Sequence, residues 1–418
     1  MASPAAPSDR SDRDALARPT AQAIGLPGGF YGPASFEMEH ERIFARRWVP
    51  VAVGAEVPEP GDMKPVEIAG WHVLVVRTRE GRVKCFHNIC RHRGMKLVAE
   101  PCRRKRAIQC PWHSWTYDLD GTLSATPMIA GDDAHRHEAF DNSALGLVEI
   151  PSARWLDYVF VNIDGRARPF EDWLAPLAGF FAGFDLSGLG HGTTIDTPFE
   201  GNWKFVVEGA MENYHVPFCH PQLSTGEKQG DWRHEVLGDC AIAMHYAPEA
   251  FRKLGEGGSV VRQNSLPRCP RSPPDLGGRQ YLITIFPTGI LFINANHVGL
   301  NFLLPHGHDR TRYVRHLYLF GDGATSPVHR EQREAVFDSW RTIGRTSRSC
   351  AMSRKWPACA TQRASARGFR PIGSGACTIS RSYMPGPSAE RQRPSRHVMF
   401  EIGQADAPPR PNPPGHSR

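Results

Sequence analysis

From Trp48 onward the chain alternates short apolar runs with turn residues. The runs at 48–53, 66–76, 83–87, 107–117 and 158–163 have strand length, and Asp120–Gly121 reads as a turn. This spacing predicts a small all-β domain over 41–165. A Pro/Gly/Leu-rich connection follows to about Gly192. The period then changes. Val206, Val207, Ala210, Met211 and Tyr214 recur at helical spacing and predict a helix over 202–214. Four further runs, at 280–286, 289–294, 298–304 and 311–320, read as antiparallel strands, and a helix is predicted over 328–343. Strands and long helices in one segment make 166–343 an α+β domain, and the whole chain α+β.

Composition sets bounds on this pattern. The chain has 418 residues, 40% of them hydrophobic, enough for two or three domains and inconsistent with wholesale disorder. No apolar stretch is long enough to span a membrane and no leader-like start is seen, so a cytoplasmic protein without a membrane partner is expected. Residues 1–40 form an N-terminal segment whose Ala/Ser/Pro/Asp/Arg-rich opening predicts partial disorder. The net charge of +7 is unevenly placed: 344–418 hold 13 Lys/Arg against 3 Asp/Glu, leaving 37 against 40 in the rest. The body is thus mildly acidic, and the basic excess lies in a Pro-rich tail without apolar periodicity. Because those cations are not interleaved with aromatics on a recognisable module, no nucleic-acid partner is expected.

Ten cysteines in a reducing compartment point to metal ligation before disulfides. Cys85, Cys102, Cys219, Cys240 and Cys269 show no paired spacing and read as ordinary thiols. Two others do pair with histidines, in Cys90-Arg-His92-Arg-Gly94 and in Cys110-Pro-Trp-His113. A zinc finger keeps like ligands together and places its histidines on a helix. Mixed Cys/His loops on a β scaffold suit a Rieske [2Fe–2S] centre, with two thiolates on one iron and two imidazoles on the other. A structural zinc site is the competing reading.

A second constellation lies on the predicted helix. Glu208, Glu212 and His215 are spaced four and three apart, so they share a helical face. Pro217 is expected to end or kink the helix before His220, which lets both imidazoles reach one metal. Two histidines and a carboxylate with open positions are the donor set of mononuclear Fe(II) oxygenases. The competing reading is a polar helix terminus.

The two motifs in this order, with Asn202-Trp-Lys204 ahead of the second, resemble the Rieske-type non-haem iron ring-hydroxylating oxygenases over about 40–343. The resemblance is to their terminal oxygenase (alpha) subunit. It implies a Rieske domain followed by a helix-grip catalytic domain. Cys90, His92, Cys110 and His113 would hold the [2Fe–2S] cluster, and His215 and His220 a mononuclear Fe(II). Glu212 would take the place of the acid that links this site to a cluster histidine, such as His113, of a neighbouring subunit.

Electrons would come from NAD(P)H through a separate reductase or ferredoxin. With O2 they would serve hydroxylation or dealkylation of an aromatic or related small organic substrate, in a homotrimer or an alpha–beta hexamer. Most ring dioxygenases have Asp where Glu212 stands. Glu occurs in relatives that oxidise quaternary amines such as carnitine, so a carnitine-, choline- or betaine-like substrate is the alternative. Gly209 replaces an Asn common in the family. Phe286, Leu291, Phe292, Phe302 and Leu303 are candidates for the apolar wall of the substrate cavity.

The resemblance also implies a third iron ligand, an Asp near the end of the catalytic domain. After Asp338 the sequence has no acid until Glu390. One permitted codon choice for 345–356, read from its third base, opens Asp-Ile-Ala-Val-Val and restores an amphipathic helix. A shifted reading frame near Arg345 is therefore one reading of 344–418. A genuine basic tail is the other. On the first, the chain as written keeps its cluster and binds the second iron poorly.

Overall fold

Pro33, whose missing N–H costs nothing at a helix start, opens α1 (Pro33–Glu39), and a π turn over His40–Phe44 leads into the first strand. α1 is an ordered part of the N-terminal segment 1–40, with Ser35 and Glu39 buried. The computed structural model describes residues 28–350 except 136, 138, 140, 213, 220–231, 247–265 and 272–279. Among the described residues no helix is long and apolar enough to cross a membrane.

Three small antiparallel sheets follow. β1 (Val49–Val53), β10 (Tyr158–Val161) and β9 (Ser152–Trp155) make one, in the order β1-β10-β9. A second runs β2-β3-β4-β8, through Met63–Ile68, Trp71–Arg77, Val83–His87 and Glu149–Ile150. The third is β5-β6-β7, over Ile108–Gln109, Thr116–Tyr117 and Leu123–Ala125. The run at 66–76 is a hairpin, not one strand. Ala69 and Gly70 both take positive φ (48° and 85°), the twist a two-residue turn needs between right-twisted strands. Asp120–Gly121 is a turn as expected, and Gly121 is required there: its φ is 95° and a Cβ would stand 2.5 Å from Phe86.

The stretch read as a connection to Gly192 also holds structure. Helix α2 (Phe170–Phe180) buries Phe170, Trp173, Leu174 and Leu177, and strand β11 (Leu189–Phe199) starts before Gly192. β11 opens a seven-stranded antiparallel sheet ordered β11-β17-β16-β15-β14-β13-β12. Its other members are β12 (Trp232–Leu237), β13 (Ala241–Tyr246), β14 (Tyr281–Ile285), β15 (Gly289–Ile293), β16 (His297–Pro305) and β17 (Thr311–Phe320). Between β11 and β12 lie α3 (Trp203–Ala210) and the single turn α4 (Val216–Cys219), and α5 (Arg330–Cys350) follows β17.

Every residue of β16 is buried, because α3 covers one face and β1 and β2 of the N-terminal β domain the other. The two domains share specific bonds. The Tyr158 hydroxyl donates to the carbonyls of Ile290 (3.1 Å) and Asn301 (3.0 Å), and Tyr318 donates to Asp157 at 2.6 Å. Register decides which strand residues face the helices. Arg315 donates to the Trp340 carbonyl of α5, so its partner Asn301 and the alternate residues Leu303, Gly299 and His297 face the same way. Leu303 and Phe292, which packs on Trp340 at 4.9 Å, are on that side. Phe302 stacks on His316 beneath Lys64 of β2, so it and Leu291 belong to the opposite face and do not line a helix-side cavity.

Tyr158→Phe removes the hydroxyl that bridges two strands of the large sheet from β10. It is expected to lower the unfolding free energy by about 1 kcal/mol in urea titration, without changing the slope.

Candidate metal centres

The two Cys/His loops are one device built twice. In each, the cysteine N–H donates to the carbonyl five residues on, Cys90 to Met95 and Cys110 to Trp115, both at 2.8 Å. The residue four on donates back to the cysteine carbonyl, Gly94 and Ser114 both at 3.1 Å. That closure needs a left-handed residue at the fourth position, and Gly94 (φ 73°) and Ser114 (φ 55°) supply it. The loops leave β4 and β5, so both cysteines project into the core of this lobe with Phe86, Ile108, Trp115 and Tyr117.

The environments of the two ligand types differ. Cys90 and Cys110 are each only 2% exposed, whereas His92 and His113 are half-buried at the rim. The imidazoles meet edge to face at 4.7 Å, and His92 stacks on Trp115 at the same distance. Burial, then the neighbouring His113 and Arg93, holds His92 below its ordinary pKa, which keeps the ring neutral and able to bind metal. Burial is also the largest influence on Cys90, pushing its thiol up, with Cys110 adding to the shift and Tyr117 opposing it. The Tyr117 hydroxyl lies 3.2 Å from Cys90 Sγ and accepts the Arg91 N–H at 3.1 Å.

These residues fit a two-iron cluster. The buried His92 Nδ1 has no hydrogen-bond partner in the protein, as a metal-binding nitrogen should not. Among the described residues no three His, Cys, Asp or Glu converge on a single ion. A donor set divided into a thiol pair and an imidazole pair is suited to two irons rather than one.

The second site begins at α3. Asn202 caps it, accepting the Lys204 N–H at 3.0 Å and donating to the His308 carbonyl at 2.8 Å. Lys204, 4% exposed, pairs with the buried Glu39 of α1, which also accepts from Trp203 Nε1 at 2.8 Å and Ser35 at 2.9 Å. One turn on, both oxygens of Glu208 meet the Tyr31 hydroxyl, at 2.8 and 3.0 Å. Burial raises Glu208 from its ordinary 4.5 to about 7, with Tyr31 and Lys204 opposing.

The helix then stops short of the expected Tyr214. It ends at Ala210, with Met211 as C-cap, so Glu208, Glu212 and His215 do not share one helical face. The cause is local. Glu212 accepts the backbone N–H groups of Tyr214 and His215, bonds that compete with continued helix, and it contacts His215 Nδ1 at 2.5 Å. Pro217 does not end this helix; it sits in the first turn of α4, where proline is tolerated. His220 lies outside the described residues. α4 packs against α5. Tyr31 and Glu39 had no signal in the sequence, since their contacts span 164 to 177 residues. The Trp115/Tyr117 alternation beside Cys110 was the one cue available for Tyr117.

Residues 47–136 match the Rieske [2Fe–2S] domain, and 186–351 match the catalytic domain of the ring-hydroxylating alpha subunit. A glycine betaine monooxygenase oxygenase subunit of Chromohalobacter salexigens is 34% identical over 215 residues, covering 50% of this chain and 47% of that one. A carnitine monooxygenase oxygenase subunit of Acinetobacter pittii is 32% identical over 239 residues, covering 56% and 63%. The chain spans about half the length of the curated relatives it matches. A crystal structure of naphthalene 1,2-dioxygenase with indole bound superposes with a TM-score of 0.62 at 19% identity, over 81% of this chain and 80% of that one, which shows a shared fold.

Two outcomes are expected. A hydrogen bond to a cluster sulfur favours the more negative, reduced state, so Tyr117→Phe should lower the cluster potential by about 40 mV, read by redox titration. Between pH 4.5 and about 7 Glu208 is protonated in the folded protein and ionised in the unfolded chain, so stability falls as pH rises through that window. Glu208→Gln should flatten this fall, which is worth up to about 3 kcal/mol, when melting is compared at both ends of the window.

Proposed function

The chain belongs to the Rieske-type non-haem iron oxygenases as an alpha subunit, and on that premise we propose that it oxidises a carboxylate-bearing quaternary ammonium compound. The observation that carries this reading is the Glu212–His215 contact at 2.5 Å, made by Glu where ring dioxygenases mostly have Asp. It is supported by the glycine betaine and carnitine monooxygenase subunits among the relatives. Both named substrates join a trimethylammonium group to a carboxylate.

In this reading Cys90 and Cys110 hold one iron of the cluster, and His92 and His113 the other. His215 and His220 hold the mononuclear iron. When bound, the cluster supplies single electrons and the mononuclear iron supplies dioxygen activation. Glu212 accepts the Nδ1–H of His215, which fixes the tautomer and leaves Nε2 as the nitrogen that would bind the metal. Its two backbone bonds hold that carboxylate in place. The Tyr31–Glu208 contact and the Glu39–Lys204 pair fix α3 behind it. The half-buried cluster histidines, with Trp112 exposed beside them, and the exposed Tyr214 and Phe218 near Glu212 support contact between neighbouring copies, as in a trimer. A reductase fed by NAD(P)H, directly or through a ferredoxin, completes the system.

Hydroxylation of a C–H beside the quaternary nitrogen takes one oxygen atom from O2, two electrons and two protons, and releases water. The product loses its C–N bond to give an aldehyde and a tertiary amine. We infer further that a changed reading frame near Arg345 is what leaves 345–389 without an acid.

The test is turnover of L-carnitine, glycine betaine and an aromatic control with a surrogate reductase, with iron and sulfide measured on the same sample. Amine and aldehyde from either ammonium substrate are expected from the frame-restored gene. Oxidation of the aromatic control alone would refute the substrate assignment. The chain as written should contain iron equal to sulfide; iron half as much again as sulfide would refute the vacant second site.

A further inference from the structure

Five strands present one lateral row to the face that α5 covers. Thr284, Ile290, Asn301, Arg315 and Ile195 are successive cross-strand partners from β14 to β11. The centre of this row is polar although it lies in the interior. Asn301 is 0% exposed, and neither its amide nitrogen nor its amide oxygen has a hydrogen-bond partner. Arg315, 1% exposed, stands beside it, donating from Nη1 to the Trp340 carbonyl (2.8 Å) and from Nη2 to Thr197 (2.9 Å). Tyr313, two residues before Arg315 on the same strand, lies on the same face of the sheet.

Packing locates the amide. A Cβ added to Gly299 would stand 3.2 Å from Asn301 Nδ2, 3.2 Å from Phe292 Cβ and 3.2 Å from Trp340 Cη2. The Asn301 amide is thus next to the aromatic pair that joins the sheet to α5, on the side where α3 also meets β14 and β16.

Buried polar groups in folded proteins are nearly always paired, so an orphaned interior amide calls for a partner that the protein itself does not supply. An amide N–H beside a guanidinium presents donors and positive potential, a set that matches a carboxylate. We propose that Asn301, with Arg315 beside it, is the specificity residue that receives the carboxylate of the substrate. The choice of substrate rests on the quaternary-ammonium reading above, whereas the subsite rests on Asn301 itself.

Calorimetric titration of the full chain, loaded with its cluster, needs no turnover. The probes are L-carnitine, its methyl ester, which lacks the carboxylate, and 5,5-dimethylhexanoate, which lacks the ammonium. L-carnitine should bind the wild type at least about tenfold more tightly than the ester. Asn301→Asp, equal in shape and opposite in charge logic, should remove that preference by weakening L-carnitine about tenfold or more and the ester little. Asn301→Leu should do the same while raising the melting temperature, which shows that the loss is not unfolding.

Equal binding of acid and ester by the wild type would overturn the proposal. So would carboxylate binding unchanged in both variants, which would make the amide the seat of a structural water, and so would failure of both carboxylates to bind. If 5,5-dimethylhexanoate binds in an Asn301-dependent way and L-carnitine does not bind, the ammonium reading fails and the carboxylate subsite stands.

Discussion

One buried carboxylate, that of Glu39, fixes where the catalytic helix begins. It gathers the Ser35 hydroxyl, the Trp203 indole N–H and the Lys204 ammonium in a place with almost no solvent. Removing one partner of such a pair leaves a charge uncompensated in the interior, a loss of about 3–5 kcal/mol. The pair therefore adds less to net stability than it does to register. α3 can start only where Trp203 and Lys204 both reach α1, and that sets Glu208 against Tyr31 one turn later. Glu212 and His215 inherit their position from the same register, because α3 ends within two residues of Glu212.

The two centres are held by different physics. The cluster loops bond to themselves, and their cysteines sit in an apolar core, so the cradle needs little from the rest of the chain. With thiols inside and imidazoles at the rim, a cluster held here would be most accessible from its histidine side. The second site depends on long-range contacts with a segment that precedes the whole β domain. Glu212 is the exception, a local device that ends one helix, orients one imidazole and starts the approach to the next turn.

That difference explains what could be read from the sequence. Ligand motifs are legible because a metal needs its donors within a few residues of one another, and Cys90, His92, Cys110 and His113 are close on each loop. The strands were legible by alternation, and 83–87 and 311–320 coincide with β4 and β17. Alternation gives two faces without saying which one meets α5, so Phe302 and Leu291 entered the cavity list from the wrong side of a sheet covered on both faces. Apolar spacing continues through Met211 and Tyr214 and so extends the predicted helix past its end at Ala210, while the carboxylate that diverts the backbone is invisible to periodicity. Tyr31 and Glu39 act across more than 160 residues, where no local pattern reaches.

The end of α5 brings the remaining lines together. Val336, Phe337 and Trp340 form its buried face, and Glu331, Glu334 and Asp338 are all exposed, with Asp338 paired to Arg341 at 2.6 Å. The acids before Gly344 thus point away from the sheet, whereas a donor for the His215 site must point toward α4. Continuing the apolar spacing beyond Trp340 meets Ile343, then Gly344, Ser347 and Arg348, so the stripe that anchors the helix lapses within one turn. No acid follows Asp338 until Glu390, and 344–418 hold 13 Lys/Arg against 3 Asp/Glu. The changed reading frame proposed near Arg345 would leave untouched everything that precedes it: both cluster loops, the Glu212–His215 contact and the polar row around Asn301.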